Sequence, residues 1–372
     1  MKRKFATFMV MLLAFALLIS TTAITVSAET TYTPISGSTT FVKNLVVDSD
    51  ANIPDVTFSY TLRRGTPVAA TADTIEILAS TTGGGTAGTA VFSNADTPYT
   101  IAGLPGDPEG NTTEGKKYAQ KQVTVTFAAN SFTKPGVYRY EISEVTSPAL
   151  PGVVYDTPTR YLDVFVVADE NNVLSVDSYV LRDTATNIGT DGEYVTNPDV
   201  KSAGYTNTLT QYDFDFSKTI GGNQGDKNKR FEFTLNITGA NPGTYPVITN
   251  DVTDNPTSIT VLANGTVTAT YFLTNGSSVK VLGLNAGAVC TVTEDEEDYT
   301  PTHSLDGADA VSGSSSGAVT LADRDHSVAF TNTRNGIIPT GIIMTIAPFA
   351  LGILIFGGVI VFIIYKRKKR LY

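Results

Sequence analysis

Phe214-Asp-Phe216-Ser-Lys218-Thr-Ile220 alternates apolar and polar residues and then seats a lysine where the pattern requires a hydrophobe. Side chains on a strand point alternately to its two faces, so residues two apart are neighbours. Phe214, Phe216, Lys218 and Ile220 therefore share one face, and Asp213, Asp215, Ser217 and Thr219 share the other. The period of two makes the stretch a strand with Lys218 on its apolar side. Similar runs precede it at 41–47, 56–62, 123–127, 137–145, 161–167, 173–181 and 205–211, and follow it at 231–237, 257–262, 267–272, 279–284, 289–294 and 327–333. Turn clusters rich in Gly, Pro and Asn separate them, with loops expected at 83–85 and 105–115. Nothing in residues 29–336 reads as a long amphipathic helix. Short, evenly spaced strands of this kind imply an all-β chain of antiparallel sandwiches.

The composition agrees. The chain has 372 residues, only 17% of them charged, and is rich in Thr, Val, Tyr and Gly, which suit strands and turns. That length holds two or three domains, each able to bury a core. One Cys excludes an internal disulfide, and the two histidines, His303 and His326, are too few for a His-based metal site or dyad. No cofactor or metal is expected. Asp295–Asp298 reads as a solvated turn ahead of a Ca²⁺ site, Gly221–Gly225 as a hairpin turn, Tyr245-Pro-Val247 as a turn or strand start, and Cys290 as a buried, inert thiol.

Both ends stand apart from the fold. Residues 1–28 read as a secretory signal: Lys2, Arg3 and Lys4, then an apolar stretch, then Val26-Ser-Ala28. Residues 342–364 carry no charge and are long enough to cross a bilayer as a helix, and the basic run 366–370 behind them belongs on the cytoplasmic side. Without the three basic residues of the first segment and the five of the last, 18 basic residues face 36 acidic ones, a net charge of −18. Such a surface repels phosphate backbones and argues against a nucleic-acid partner.

The chain repeats weakly about residue 211. Each half opens on a strand with a Lys, carries a late strand with a Glu, and closes on a strand with an Asn before a Thr. Parity places Glu294 with Cys290 and Val292, Asn332 with Val328 and Phe330, Glu144 with Tyr138, Tyr140 and Ile142, and Asn207 with Tyr205 and Leu209. Lys43 goes with Phe41, Leu45 and Val47, although its opposite face also carries Val42 and Val46. Burying a lone charge costs several kcal/mol, so the three polar residues of each half must be mutual partners. One reading is a buried Lys–Glu ion pair with a hydrogen-bonded Asn. The other is chemical: desolvation lowers the Lys pKa and raises that of the Glu, giving a neutral amine nucleophile beside a proton-shuttling carboxyl. The product is a Lys–Asn isopeptide bond with loss of ammonia, formed once per site.

These trios, the run Lys134-Pro-Gly-Val-Tyr138 leading to Glu144, and the tail Ile338-Pro-Thr-Gly341 resemble the streptococcal backbone pilins of the T-antigen type, along nearly the whole chain. The resemblance implies two tandem immunoglobulin-like domains, a pilin isopeptide-linkage domain at 29–210 and one related to the collagen-adhesin B type at 211–336. A sorting motif at 337–341, a transmembrane helix at 342–365 and a basic tail at 366–372 would follow. It implies bonds Lys43–Asn207 and Lys218–Asn332, with Glu144 and Glu294 as their catalysts. It also implies that a sortase cuts between Thr340 and Gly341 and joins the Thr carbonyl to an amine of the next subunit. Here the motif is Ile337-Ile-Pro339-Thr340-Gly341, with Pro directly before Thr, unlike the general Leu-Pro-x-Thr-Gly signal. Lys201 matches the family acceptor by place, one residue off its spacing, and the Tyr-Pro-Lys pilin motif is absent. The implied function is a major pilus shaft subunit, wall-anchored at the cell surface. Its partners would be sortase, identical subunits, minor pilins and peptidoglycan. The alternative is a monomeric wall-anchored adhesin with the same tail. An ordinary enzyme fits poorly, since the only reactive groups are buried and consumed.

Overall fold

The structure is a computed structural model that describes residues 30–79, 84–104, 115–195, 201–336 and 341–368. In chain order, a first unit contains β1 (Ser38–Asp48), β2 (Val56–Phe58), β3 (Tyr60–Arg64), β4 (Ile77–Leu78), β5 (Gly85–Ala87), β6 (Ala90–Phe92), β7 (Tyr99–Thr100), β8 (Lys116–Phe127), β9 (Gly136–Glu144), β10 (Val153–Val154), β11 (Arg160–Ala168), β12 (Leu174–Arg182) and β13 (Tyr205–Leu209). A second contains β14 (Gln211–Gly221), β15 (Phe231–Thr238), β16 (Gly243–Thr249), β17 (Ser258–Val261), β18 (Val267–Leu273), β19 (Ser278–Asn285), β20 (Val289–Glu294), β21 (Thr300–Leu305), β22 (Val311–Ser312), β23 (Val319–Thr320) and β24 (His326–Thr333). The two units share no sheet.

Each unit is a sandwich. In the first, the sheet β10-β13-β1-β8-β5 packs on β12-β11-β9-β3, and rings such as Phe127 and Tyr140, 4.7 Å apart, fill the space between. In the second, β17-β16-β19-β14-β24-β21-β22 packs on β18-β15-β20-β23, with Phe233 between Phe216 and Phe330 at 5.7 and 5.3 Å. Burying an aromatic ring of this kind contributes about 1.5–3 kcal/mol. The all-β expectation holds, but the pairing is not all antiparallel. The first and last strands of each unit lie side by side and parallel, β1 with β13 and β14 with β24.

Other differences have local causes. The turn after β14 is not a hairpin, because β14 and β15 belong to opposite sheets. Gly85 opens a strand, and Tyr245-Pro-Val247 lies inside β16. On β1 the face opposite Lys43 is also buried, because Leu104 and Tyr118 cover Val46. Arg139, on the face of β9 opposite Tyr138 and Tyr140, is buried against Asp163 and the carbonyl of Thr186, so the outer face of that sheet is covered too.

One residue separates β13 from β14, and the units are joined by polar contacts around it. Gln211 accepts from the Asp48 N–H at 2.9 Å and donates to the Gly283 carbonyl at 2.6 Å. Asn52 donates to the Thr244 carbonyl and Asn241 to that of Pro151, at 2.9 and 3.0 Å. Gly283 is needed here: its φ is +69°, and a Cβ would lie 2.3 Å from the Ala51 methyl.

The chain ends in helix α1 (Gly341–Lys368). Among the described residues no helix is long and apolar enough to cross a membrane, so the expected span over 342–365 is not carried by the structure. The expected signal at 1–28 lies outside the described residues.

Gly283→Val should force a branched side chain into left-handed backbone and against Ala51, at a cost of about 1–3 kcal/mol. Limited proteolysis should then cut faster near residue 210. Cleavage at the wild-type rate would show that the junction is not held by this contact.

Candidate cross-linking sites

The second unit shows how the strands assemble a site. Lys218 on β14 pairs in register with Phe330 on β24, and Asn332 lies two residues further along the same face of the neighbouring strand. Glu294 ends β20 in the facing sheet, opposite Phe233. The three side chains meet between the sheets. The Lys218 ammonium is paired with Glu294 Oε1, and Asn332 Nδ2 donates to that same oxygen at 2.8 Å. The Phe231 ring centroid is 4.2 Å from Nζ, so aromatic carbon stands where water would be.

The first unit repeats the plan. Lys43 on β1 pairs with Tyr205 on β13, and Asn207 is again two residues further on. Glu144 ends β9 in the facing sheet, opposite Tyr60. Lys43 Nζ is 2.7 Å from Glu144 Oε1, and the Tyr60 hydroxyl donates to that oxygen at 3.3 Å. Phe58 stands 4.6 Å from the amine. Gly204, at φ +99°, lets β13 approach β1, since a Cβ there would meet the Val42 carbonyl at 2.0 Å. The structure thus brings the second trio into direct contact, and in the first it pairs Lys43 with Glu144 while Asn207 lies buried on the adjoining strand.

All six residues are sealed: Lys43, Asn207 and Asn332 are 0% exposed, Lys218 1%, Glu294 2% and Glu144 8%. Desolvation by burial pushes both lysine amines down, each to about 8, against the pull of its glutamate. Desolvation likewise raises the Glu294 carboxyl, opposed by Lys218 and Asn332. Burial beside Glu144 raises the pKa of the Tyr60 phenol and keeps it protonated. Glu144 Oε2, Glu294 Oε2, Asn207 Nδ2 and Asn332 Oδ1 have no hydrogen-bond partner. A buried polar atom left without a partner costs about 1–3 kcal/mol. The arrangement therefore places an amine of reduced basicity, a proton carrier and an incompletely satisfied carboxamide within one dry space.

The other expected residues are apart from these sites. Lys201 is exposed, and its main chain forms an isolated antiparallel β-bridge with that of Arg182. Residues 196–200 before it, and Pro339 and Thr340 of the sorting motif, lie outside the described residues; Gly341 is the first residue of α1. Asp295–Asp298 forms a turn in which Asp298 pairs with Arg334 at 2.8 Å. Among the described residues no His, Cys, Asp and Glu group is arranged to hold a metal. Cys290 is buried, its thiol pushed up to about 12 by desolvation. Sequence reasoning missed Tyr60 and the pair Asp156–Arg160 beside Asn207. Tyr60 could have been found, since it opens a strand in core phase.

Residues 39–210 match the family model of the Spy0128-like isopeptide containing domain, and residues 212–334 match a second model, Domain of unknown function (DUF7601). A pilin of Streptococcus pyogenes serotype M1 is 29% identical over 374 residues, covering 96% of this chain and 98% of the relative. Over nearly its whole length the chain is similar to a streptococcal pilin. The fold agrees with the crystal structure of the major pilin from Streptococcus pyogenes, at TM-score 0.51 and 23% identity over 80% of this chain and 99% of that one. It agrees also with the major pilin protein T3.2 from the same species, at TM-score 0.54 and 19% identity over 81% of this chain and 100% of that one. The pilins matched are structural proteins and not enzymes of turnover.

Asn207→Ala with Asn332→Ala leaves both lysines as free amines. Folded, they lose their protons near pH 8; unfolded, near 10.5. Between these values the unfolded chain binds more protons, so stability should rise with pH, and the full cost of charging the amines is present below pH 8. The melting temperature of this double variant, measured against the wild type from pH 8 to 9.5, should climb. A flat difference would contradict the depressed amines.

Proposed function

We propose that this chain is the shaft subunit of a cell-surface pilus, closed internally by the bonds Lys43–Asn207 and Lys218–Asn332 and joined head to tail by a sortase. The observation that carries the reading is the double occurrence of one geometry. In both units the lysine and asparagine sit on the parallel first and last strands, two residues out of register, with a glutamate between sheets. A purely structural ion pair has no need of the asparagine or of the parallel pairing. An amide-forming reaction needs both, because a nucleophile and a carboxamide must be held in contact without water.

In the reaction the deprotonated lysine attacks the asparagine carboxamide. Glu144 or Glu294 takes the amine proton and delivers it to the departing nitrogen, so that ammonia leaves. Each bond then ties the start of its unit to its end. Cross-links spanning more than 100 residues remove chain entropy worth about 5 kcal/mol. Pulling force would run through covalent bonds and bypass the sheet hydrogen bonds.

The two sandwiches would be domains 29–210 and 211–336. Lys201, exposed beside the end of β12, would supply the acceptor amine, and Pro339-Thr340-Gly341 the cleaved signal. The uncharged sequence 342–364 with its basic sequel would hold the precursor in the membrane until cutting, and peptidoglycan would receive the finished polymer. Alignment to a pilin from end to end favours the shaft over a lone adhesin.

Lys201→Ala should abolish the high-molecular-weight ladder on denaturing gels while leaving the monomer secreted. A persisting ladder would place the acceptor elsewhere. Glu294→Ala should block one internal bond and lower the melting temperature, whereas an unchanged bond would remove Glu294 from the chemistry.

A further inference from the structure

The two sites differ at the carboxamide. Asn332 meets its glutamate directly, and its Oδ1 has no partner. Asn207 instead faces the main chain: its Oδ1 accepts the backbone N–H of Asp156 at 2.8 Å. An N–H only donates, so this contact fixes which end of the amide is oxygen. Nδ2 is then the end left without a partner.

Asp156 is held firmly in place. Its carboxylate takes the Arg160 Nη2 at 3.0 and 2.8 Å and the Thr206 N–H at 3.1 Å. Arg160 in turn donates from Nε to Ser202 Oγ at 2.9 Å and to the Gly204 carbonyl at 3.2 Å. The loop is thus fastened to β13 at the residue before Asn207 and to the segment that leads into that strand. A fixed donor on a reacting carbonyl oxygen is what stabilises a tetrahedral intermediate.

We infer that the Asp156 backbone N–H is the oxyanion donor for closing the Lys43–Asn207 bond, a device without a counterpart at Asn332. The inference rests on the reading that this bond forms. Lys43 Nζ, as the free amine, adds to Cγ of Asn207, and the carbonyl π pair moves onto Oδ1, where it meets the Asp156 N–H. The proton released by Nζ passes through Glu144, whose Oε1 is 2.7 Å away, to Nδ2. The Cγ–Nδ2 bond then breaks with its electron pair on nitrogen, ammonia leaves, and the carbonyl re-forms.

The test replaces Asp156 by its α-hydroxy acid, so that an ester oxygen stands in place of the N–H. The full chain is made by cell-free synthesis and followed by intact mass over time, with proteolytic peptides assigning each bond. The Lys43–Asn207 bond should close about 10²-fold more slowly, the scale of losing one oxyanion donor. The Lys218–Asn332 bond of the same molecules should close at the wild-type rate. Hydrogen exchange of β1 and β13 is compared in a Glu144→Ala background, with and without the ester, and equal protection is expected. Unchanged closure overturns the inference, as does equal slowing of both bonds or slowing accompanied by lost protection of β1 and β13. A wild-type chain that loses no ammonia at Lys43–Asn207 removes instead the reading beneath it.

Discussion

An ammonium group deprived of water is the constraint on which both units are built. Lys43 and Lys218 each lose hydration to an aromatic wall and recover only one carboxylate oxygen. Effective desolvation of a buried ion costs several kcal/mol, so the pair gains little unless the proton moves or the charge is removed. Replacement of the ion pair by an amide would remove both charges. The fold supplies what that exchange requires: parallel terminal strands to bring lysine to asparagine, and a facing sheet to carry the glutamate.

The second site was legible because its strands alternate cleanly. Phe214, Phe216 and Ile220 frame Lys218, Val292 frames Glu294, and Phe330 frames Asn332, each in the phase that the structure buries. On β1 parity was ambiguous, because Val46 on the outer face is itself covered by Leu104. The buried Arg139–Asp163 pair was missed for the same reason: alternation shows which face a residue takes and not whether a distant segment lies over it. Short strands such as β4, β7 and β22 offer too few residues for a period of two to register. The parallel pairing of the terminal strands is a property of topology, on which local pattern is silent. Asp156 was invisible because its contribution is a main-chain N–H in a loop.

The two units solve one problem in two ways. In the second the glutamate contacts both the amine and the carboxamide. In the first Glu144 contacts the amine and Tyr60, while the main chain holds the carboxamide oxygen. Only the first unit sets a donor on the carbonyl oxygen; in the second the glutamate holds the carboxamide by its nitrogen and that oxygen has no hydrogen-bond partner. With only Thr210 between β13 and β14, the chain passes from Asn207 to Lys218 almost without slack, and tension would cross the junction along one short path.

The central claim is that these buried trios have reacted, and weighing the mature chain tests it most directly. Two closed amides leave the protein lighter than its sequence by two molecules of ammonia, with peptides joined at 43 to 207 and at 218 to 332. A mass equal to that of the unmodified polypeptide would mean that the lysines remain ion-paired amines, and the account would be wrong.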